Sequence, residues 1–275
     1  MSKLSVIIPT YKEPDYLDLC ISSAIIGAGT KDYELIVVVD GTEQENKEVI
    51  KTYQNNPNIR FLKFSENRGL SVATNYGIYI ADSDYVLVVN DDNVFPFDWD
   101  LTILDYCKIH VDKFVLTPNQ IEPKPSMFSQ FVIEDLGQSP ESFDYVRFDE
   151  RTKKLAEEAI KGTRFDFSGS TLPFAMNRND YLALGGWDEL YPSPHVVDWD
   201  FFLKCEYFNF AMIRAYDVHF YHFAGVATRS EEKAQESMIK ENAAHEFFTM
   251  KWKNRASHDP ITNSKLLPIF KDGKG

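Results

Sequence analysis

Three short runs of almost uninterrupted apolar, mostly β-branched residues set the terms for this chain: "LSVII" (4–8), "ELIVVV" (34–39) and "YVLVV" (85–89). A strand with no polar alternation must be covered on both faces, and such strands occur in parallel sheets flanked by helices. The segments between them supply those helices. "DYLDLCISSAII" (15–26) places Leu17, Cys20, Ile21 and Ala24 at helical spacing. "EQENKEVIKTYQ" (43–54) reads as a polar surface helix, and "GLSVATNYGIYIA" (69–81) gathers Leu70, Ala73, Gly77 and Ile80 on one face. "IRFLKF" (59–64) alternates like a more peripheral strand. Strand–helix alternation of this kind predicts an α/β fold with a Rossmann-like, mostly parallel central sheet and helices on both faces.

In such sheets ligands bind outside the carboxyl ends of the strands. That rule selects "PTYKE" after the first strand, "DGT" after the second and "NDDN" after the fourth. The last is the strongest signal: a buried-looking strand runs straight into Asn90, Asp91, Asp92 and Asn93. Adjacent carboxylates repel, so a positive group is expected beside them. Carboxylate oxygens suit a hard divalent cation, which in turn can bind a diphosphate and neutralise it as a leaving group; an acidic turn after a strand is the simpler alternative.

The remaining motifs carry two readings each. Asp40 in "VVVDGT" is either a turn residue or a hydrogen-bonding partner for a nucleobase. A haloacid-dehalogenase type of phosphatase would need an Asp where Val38 stands, so no aspartyl-phosphate can form there. "GAGTK" (27–31) lacks phosphate-loop spacing, and no GxGxxG occurs. Arg68 sits in an Asn–Arg–Gly turn at the start of a helix, where it either meets a diphosphate or is a surface residue. Asp198 and Asp200 open a helical stretch, so Asp198 is either a capping residue or a general base. His219 and His222 flank "FY" in a strand and are expected on opposite sides, so at most one ligates a metal.

The second half is less regular. Prolines at 118, 123, 125 and 140 make 118–149 read as loop with short elements. Helices are expected over 151–162, twice within 165–210 around a Gly- and Pro-rich turn, and from Glu231 to about Trp252, with one or two strands over 211–222. The expected division is 1–117 for the regular strand–helix half, 118–230 for a substrate half built onto the same sheet, and 231–275 for a C-terminal helix and tail.

Charge and composition exclude some classes. With 42 acidic against 29 basic residues the formal net charge is −13, which argues against a nucleic-acid binder. No run reaches the roughly 18 apolar residues of a membrane span. "LSVII" is too short for the apolar part of a secretory leader. Cys20, Cys107 and Cys205 are far apart, each within a helical pattern, and read as small core residues in a reducing compartment. The expected setting is the cytoplasm or the cytoplasmic face of a membrane.

Taken together, "LSVIIPTYKEPDYLDLCISS", "ELIVVVDGT", "NRGLSVATNYGI", "YVLVVNDDN", "ALGGWDE", "VDWDFFLK" and "HEFFTMKWKN" resemble, in order, the family 2 glycosyltransferases of the GT-A fold. The resemblance implies inverting transfer of a sugar from a nucleoside diphosphate donor, most often UDP-linked, to a glycan, lipid-linked glycan or protein acceptor. It implies that Pro9, Thr10, Tyr11 and Glu13 form the entrance of the nucleotide pocket, that Asp40 reads the nucleobase, and that Arg68 lies near the nucleotide. Asn90, Asp91 and Asp92 take the place of the family's DxD motif: Asn90 near the ribose, Asp91 near the ribose or the metal, Asp92 as a ligand of Mn²⁺ or Mg²⁺, and His222 as a further metal ligand. Asp198 takes the place of the catalytic base. Val39, Asn90 and Val197 stand where the family usually has acidic residues, which keeps open a sugar-nucleotide-binding protein without transfer activity. A nucleotidyltransferase is disfavoured because "IPTYKE" replaces its Gly-rich loop.

Overall fold

The computed structural model describes residues 4–109, 113–125, 129–166, 168–224 and 231–252. Along the chain it runs β1 (Leu4–Thr10), α1 (Pro14–Gly27), β2 (Tyr33–Asp40), α2 (Lys47–Tyr53), β3 (Ile59–Phe64), α3 (Leu70–Tyr79), β4 (Tyr85–Val88), β5 (Asn93–Val94), α4 (Trp99–Ile109) and β6 (Phe114–Glu122). It continues through β7 (Val132–Ile133), a 3₁₀ turn, α5 (Tyr145–Lys161), β8 (Phe165–Asp166), β9 (Phe174–Asn177), α6 (Arg178–Ala183), α7 (Val197–Tyr207), β10 (Ala211–His222) and α8 (Glu231–Trp252). The strands join one sheet in the order β3-β2-β1-β4-β9-β6-β10-β5, with β7 beside β6 and β8 beside β10.

The first four strands are parallel and include the apolar runs. Every residue of β1 and β2 is buried, because both faces are covered. Leu4, Val6 and Ile8 enter one core with Leu35, Val37 and Val39, packed against α1 and α4. Ile7, Ile36 and Val38 enter the other, against α3 and α7. This is the period-two alternation of strands, with an apolar residue required on each side. β3 lies at the edge and is only partly covered, as its alternation predicts. Gly77 lets α3 approach β1: a Cβ there would stand 2.6 Å from Ile7 Cγ2 and 3.2 Å from Val38 Cγ2. Cys20, Cys107 and Cys205 are free thiols buried on α1, α4 and α7.

The second half departs from the expected loop. β6 extends to Glu122 through Pro118, and the 117/118 division falls inside it. Proline is tolerated because Pro118 faces Ala215 where the β6–β10 ladder shifts register, a place that needs no regular N–H donor. α5 begins six residues before the expected start, because Asp144 caps it by accepting from the Arg147 amide at 3.1 Å. β10 is a single strand.

β9 joins the halves. It runs antiparallel to β4, with Val88 opposite Phe174 and Tyr85 opposite Asn177, and it touches β6 through Leu116 and Ala175. α8 then closes the structure over α7. Asp200, fully buried, accepts from Trp252 Nε1 at 2.7 Å and lies 2.9 Å from Lys251 Nζ, which also reaches Asp188 at 2.5 Å. The tail 253–275 lies outside the described residues. No helix among the described residues is long and apolar enough to cross a membrane.

Because Ile7 is β-branched on a central strand and cannot swing away, Gly77→Ala should destabilise the protein by about 1–3 kcal/mol through overpacking. The midpoint of urea unfolding measures this; an unchanged midpoint would mean that α3 has room to move.

Candidate active site

The carboxyl ends of β1 and β4 meet in one acidic cluster. After β4 the chain turns at Asn90–Asn93, where the Asn93 amide donates to the Asn90 carbonyl at 3.2 Å. The turn is fastened from two sides. Asn93 Nδ2 donates to the Tyr221 carbonyl at 3.1 Å, and the Phe223 amide to the Asp92 carbonyl at 3.2 Å. From α1, Cys20 Sγ lies 3.7 Å from the Asn90 carbonyl.

The positive group required beside the two carboxylates is His222. Its Nε2 lies 3.5 Å from Asp92 Oδ2, and its Nδ1 lies 2.8 Å from Glu122 Oε1. Burial alone would lower the His222 pKa, but Asp92 and Glu122 outweigh it and carry it up to about 10. Asp91 moves the other way from an ordinary carboxylate: burial, then the charge of Asp92, push it up to about 7, against hydrogen bonding by the Thr10 side chain and Tyr11 backbone. Glu13 adds to the repulsion. Thr10, Tyr11, Glu13, Asp91, Asp92 and His222 are thus brought together. Pro9 is buried in β1 opposite Val38, while the Tyr11 ring is 44% exposed. Lys12 takes a left-handed conformation (φ 64°) that turns the chain from β1 into α1.

Asp40 and Arg68 form a second group, joined in a way the sequence does not reveal. Asp40 is buried, and its two oxygens accept from the backbone amides of Arg68 (2.6 Å) and Gly69 (2.9 Å), not from the guanidinium. The guanidinium is exposed and lies over the Phe64 ring, 5.4 Å from its centre. The contact between the two turns depends on Gly41: a Cβ there would stand 2.3 Å from the Asn67 nitrogen.

Asp198 is the second residue of α7, just after Val196 in a left-handed conformation (φ 57°). Its Oδ1 accepts from the Trp199 amide at 3.0 Å. Burial raises its pKa to about 6, against the pull of the Trp199 and Asp198 amides. No hydrogen bond or ion pair joins it to Asp91, Asp92 or His222 among the described residues. Asp200, which opens the same helix, is taken up by Lys251 and Trp252 and is structural. His219 is buried, with Nε2 3.2 Å from Asn119 Nδ2. Glu122 is the site residue that sequence reasoning passes over: it follows four residues after Pro118, in a stretch whose prolines suggest loop.

These donors fit a hard divalent cation. Asp92 and the His222 Nε2 face one another, and Glu122 holds the other imidazole nitrogen, the usual arrangement behind a metal-bound histidine. Among the described residues no group of three or more His, Cys, Asp or Glu side chains could hold a metal alone. Mg²⁺ and its relatives commonly take one or two protein ligands and complete their shell with substrate phosphates and water.

Residues 5–125 match the sequence model of the family described as Glycosyl transferase family 2. The chain is 41% identical over 97 residues to the uncharacterized glycosyltransferase YibD of Escherichia coli, a stretch covering 34% of this chain and 28% of that protein. It is 28% identical over 192 residues to the glucosyl-dolichyl phosphate glucuronosyltransferase of Haloferax volcanii, covering 68% and 56% of the two. The matched stretches thus span about a quarter and about half of these two relatives. Residues 1–349 of S. aureus TarS, crystallised with UDP-GlcNAc, superpose with a TM-score of 0.57 at 15% identity, covering 94% of this chain and 74% of that one. Residues 5–125 thus carry the sequence pattern of the family 2 glycosyltransferases, and the chain shares the GT-A fold of TarS.

Replacing Glu122 by Gln removes one of the two carboxylates that hold a proton on His222. In metal-free protein the imidazole titration followed by NMR should then fall from about 10 toward the ordinary 6.5. A midpoint still near 10 would assign the whole effect to Asp92.

Proposed function

We propose that this protein transfers a sugar from a UDP-linked donor to a hydroxyl of a glycan, lipid-linked glycan or protein acceptor, with inversion at the anomeric carbon. The observation that carries this reading is the Asp91–Asp92–His222–Glu122 group at the carboxyl ends of β4, β6 and β10, together with Asp198 at the start of α7, whose pKa burial raises to about 6. The first suits a diphosphate with its cation; the second suits a general base. The names of the relatives agree with it: TarS was crystallised with UDP and with UDP-GlcNAc, and the Haloferax protein is named for a lipid-linked acceptor.

In this reading the Pro9–Glu13 turn and the Arg68 turn clasp the nucleotide. Asp40 acts at the base side and holds the Arg68 turn in place through its amides. The Asn90 amide hydrogen-bonds the ribose, and Asp91 stands beside it. Asp92 and His222 would hold Mn²⁺ or Mg²⁺, which would neutralise charge that develops on the departing diphosphate. To serve as a ligand through Nε2, His222 would be neutral, with Nδ1–H donated to Glu122. Asp198 accepts the proton of the acceptor hydroxyl, whose oxygen attacks the anomeric carbon from the side opposite the diphosphate. The setting is the cytoplasm or the cytoplasmic face of a membrane. A binding protein without transfer activity is the second reading, favoured by Val39, Asn90 and Val197; it gives no role to the raised pKa of Asp198.

Calorimetric titration with UDP, GDP and dTDP, each with and without Mn²⁺, tests the donor site. UDP should bind best and only weakly without Mn²⁺, and Asp92→Ala should abolish the Mn²⁺-dependent part. Binding of UDP indifferent to Mn²⁺ would remove the cation from the reading, and no binding of any nucleotide would overturn it. Asp198→Asn should keep UDP affinity and lower kcat by at least about 10³-fold; transfer at the native rate would exclude Asp198 as the base. Asp198 works only when deprotonated, so kcat should fall about tenfold per pH unit as the pH drops through about 6.

A further inference from the structure

The helix that carries Asp198 starts under strain. Val196, the residue before α7, is β-branched and takes a left-handed conformation (φ 57°), and no side chain caps the helix start. Such a residue is unfavourable and persists only where its surroundings hold it. What holds this turn lies two residues past Asp198.

Asp200 is fully buried and bonded to two consecutive residues at the end of α8. Trp252 Nε1 donates to its Oδ1 at 2.7 Å, and Lys251 Nζ donates to its Oδ2 at 3.0 Å. Residues two apart on a helix lie about 200° apart around its axis. Drawing Asp200 toward α8 therefore turns Asp198 to the opposite flank of α7, where it is only partly buried. Asp200 sets the rotation of the first turn, and Asp198 takes its direction from it.

Lys251 holds more than Asp200. The same ammonium lies 2.5 Å from Asp188 Oδ2, in the turn that follows α6. One turn further along α7, Lys204 donates to the Gly186 carbonyl of that same turn. The turn is in its own right pinned to α3: Asn75 Oδ1 accepts from the Trp187 amide at 2.9 Å, and Asn75 Nδ2 donates to the Trp187 carbonyl at 2.8 Å. α3 begins at Leu70, directly after the Arg68–Gly69 turn that Asp40 holds. Polar contacts thus run from Asp200 through Lys251 and Asp188 to the turn on α3, the helix that begins beside Asp40. Replacing a buried ion pair by apolar residues is often neutral or stabilising, so stability alone gives little reason for an ionic clasp here. Its advantage over an apolar contact is a fixed length and direction.

We propose that Lys251 and Trp252 are positioning residues for the transfer step: by clasping Asp200 they fix the rotation of the first turn of α7, and with it the aim of Asp198 at the acceptor. This rests on the glycosyltransferase reading given above, in which Asp198 is the general base, and adds to it two residues that act through Asp200 and not on the substrates.

Water can stand in for the acceptor in the test. Its oxygen attacks the anomeric carbon, the bond from that carbon to the diphosphate breaks, UDP leaves with the electron pair, and the water proton passes to Asp198. UDP release from UDP-glucose, UDP-GlcNAc and UDP-glucuronate is measured with Mn²⁺, and the donor that the native protein turns over fastest is used throughout. UDP calorimetry counts the binding-competent molecules to which each kcat is referred. In Lys251→Met kcat should fall about 10²-fold while KM for the donor stays within about twofold. Trp252→Phe, which changes no charge, should lower kcat about tenfold. Lys251→Arg should recover most of the loss, because a guanidinium can bridge the same two carboxylates. A clasp that only stabilises the fold would lower the melting temperature and leave kcat per binding-competent molecule unchanged, which would overturn the proposal; so would a loss carried by KM alone. Should Lys251→Met fail to fold, Trp252→Phe decides, and a native kcat there overturns it. Asp198→Asn separates this proposal from the reading beneath it. A large loss in Asp198→Asn beside native rates in Lys251→Met and Trp252→Phe keeps the base and removes the positioning. Native rates in Asp198→Asn, or native protein that releases UDP from none of the donors, remove both.

Discussion

The antiparallel pairing of β4 with β9 is what makes one site out of two distant stretches of chain. Four residues on each strand are paired, Tyr85–Val88 with Phe174–Asn177. Through them the parallel sheet of β1–β4 gains β6 and β10 as further members. Glu122 and His222 both arrive on those added strands, at their carboxyl ends, and so reach the carboxyl end of β4. A slip of one residue in the β4–β9 register would turn Phe174 and Met176 out of the core they share with Ile7 and Val88. The same apolar burial that stabilises the sheet therefore also sets the relation between Asp92 and His222.

Electrostatics inside that frame are balanced by hydrogen bonds and a single imidazolium, in a chain of strongly negative net charge. Asp91, Asp92, Glu13 and Glu122 converge, and among the described residues His222 is the cation in contact with them. The consequence is visible in the pKa values: the histidine is pushed up and Asp91 is pushed up as well, each in the direction that reduces net negative charge. A divalent cation would relieve the same repulsion more fully, and it would displace a proton in doing so. Elsewhere the fold meets buried carboxylates differently. Asp40 is satisfied by two backbone amides, and Asp200 by a lysine and an indole.

Much of the architecture could be read from residue pattern because the central strands are unambiguous: no other fold class accommodates runs such as Ile36–Val39 so simply. The rule that ligands sit beyond the carboxyl ends of parallel strands then pointed to Thr10, Asp40 and Asp92. Pattern failed where a tertiary contact excused a local rule. Pro118 breaks a strand in isolation but not opposite a register shift, and with β6 hidden, Glu122 was hidden too. Asp40 and Arg68 are adjacent in space through a backbone bond that side-chain chemistry does not announce. The partners of Asp200 lie some fifty residues away, as do those of Arg214, and no spacing rule connects them.

The clasp of Asp200 by Lys251 and Trp252 bears on the order of events during synthesis. The helix that carries Asp198 can form as soon as its own residues have been made, but its buried carboxylate has neither ammonium nor indole to meet until residue 252 has left the ribosome. The parallel strands that end at Thr10, Asp40 and the Asn90–Asn93 turn are complete more than 150 residues earlier, at Val88. A nascent chain thus has the sheet behind Thr10, Asp40 and Asp92 framed well before the helix that carries Asp198 is locked.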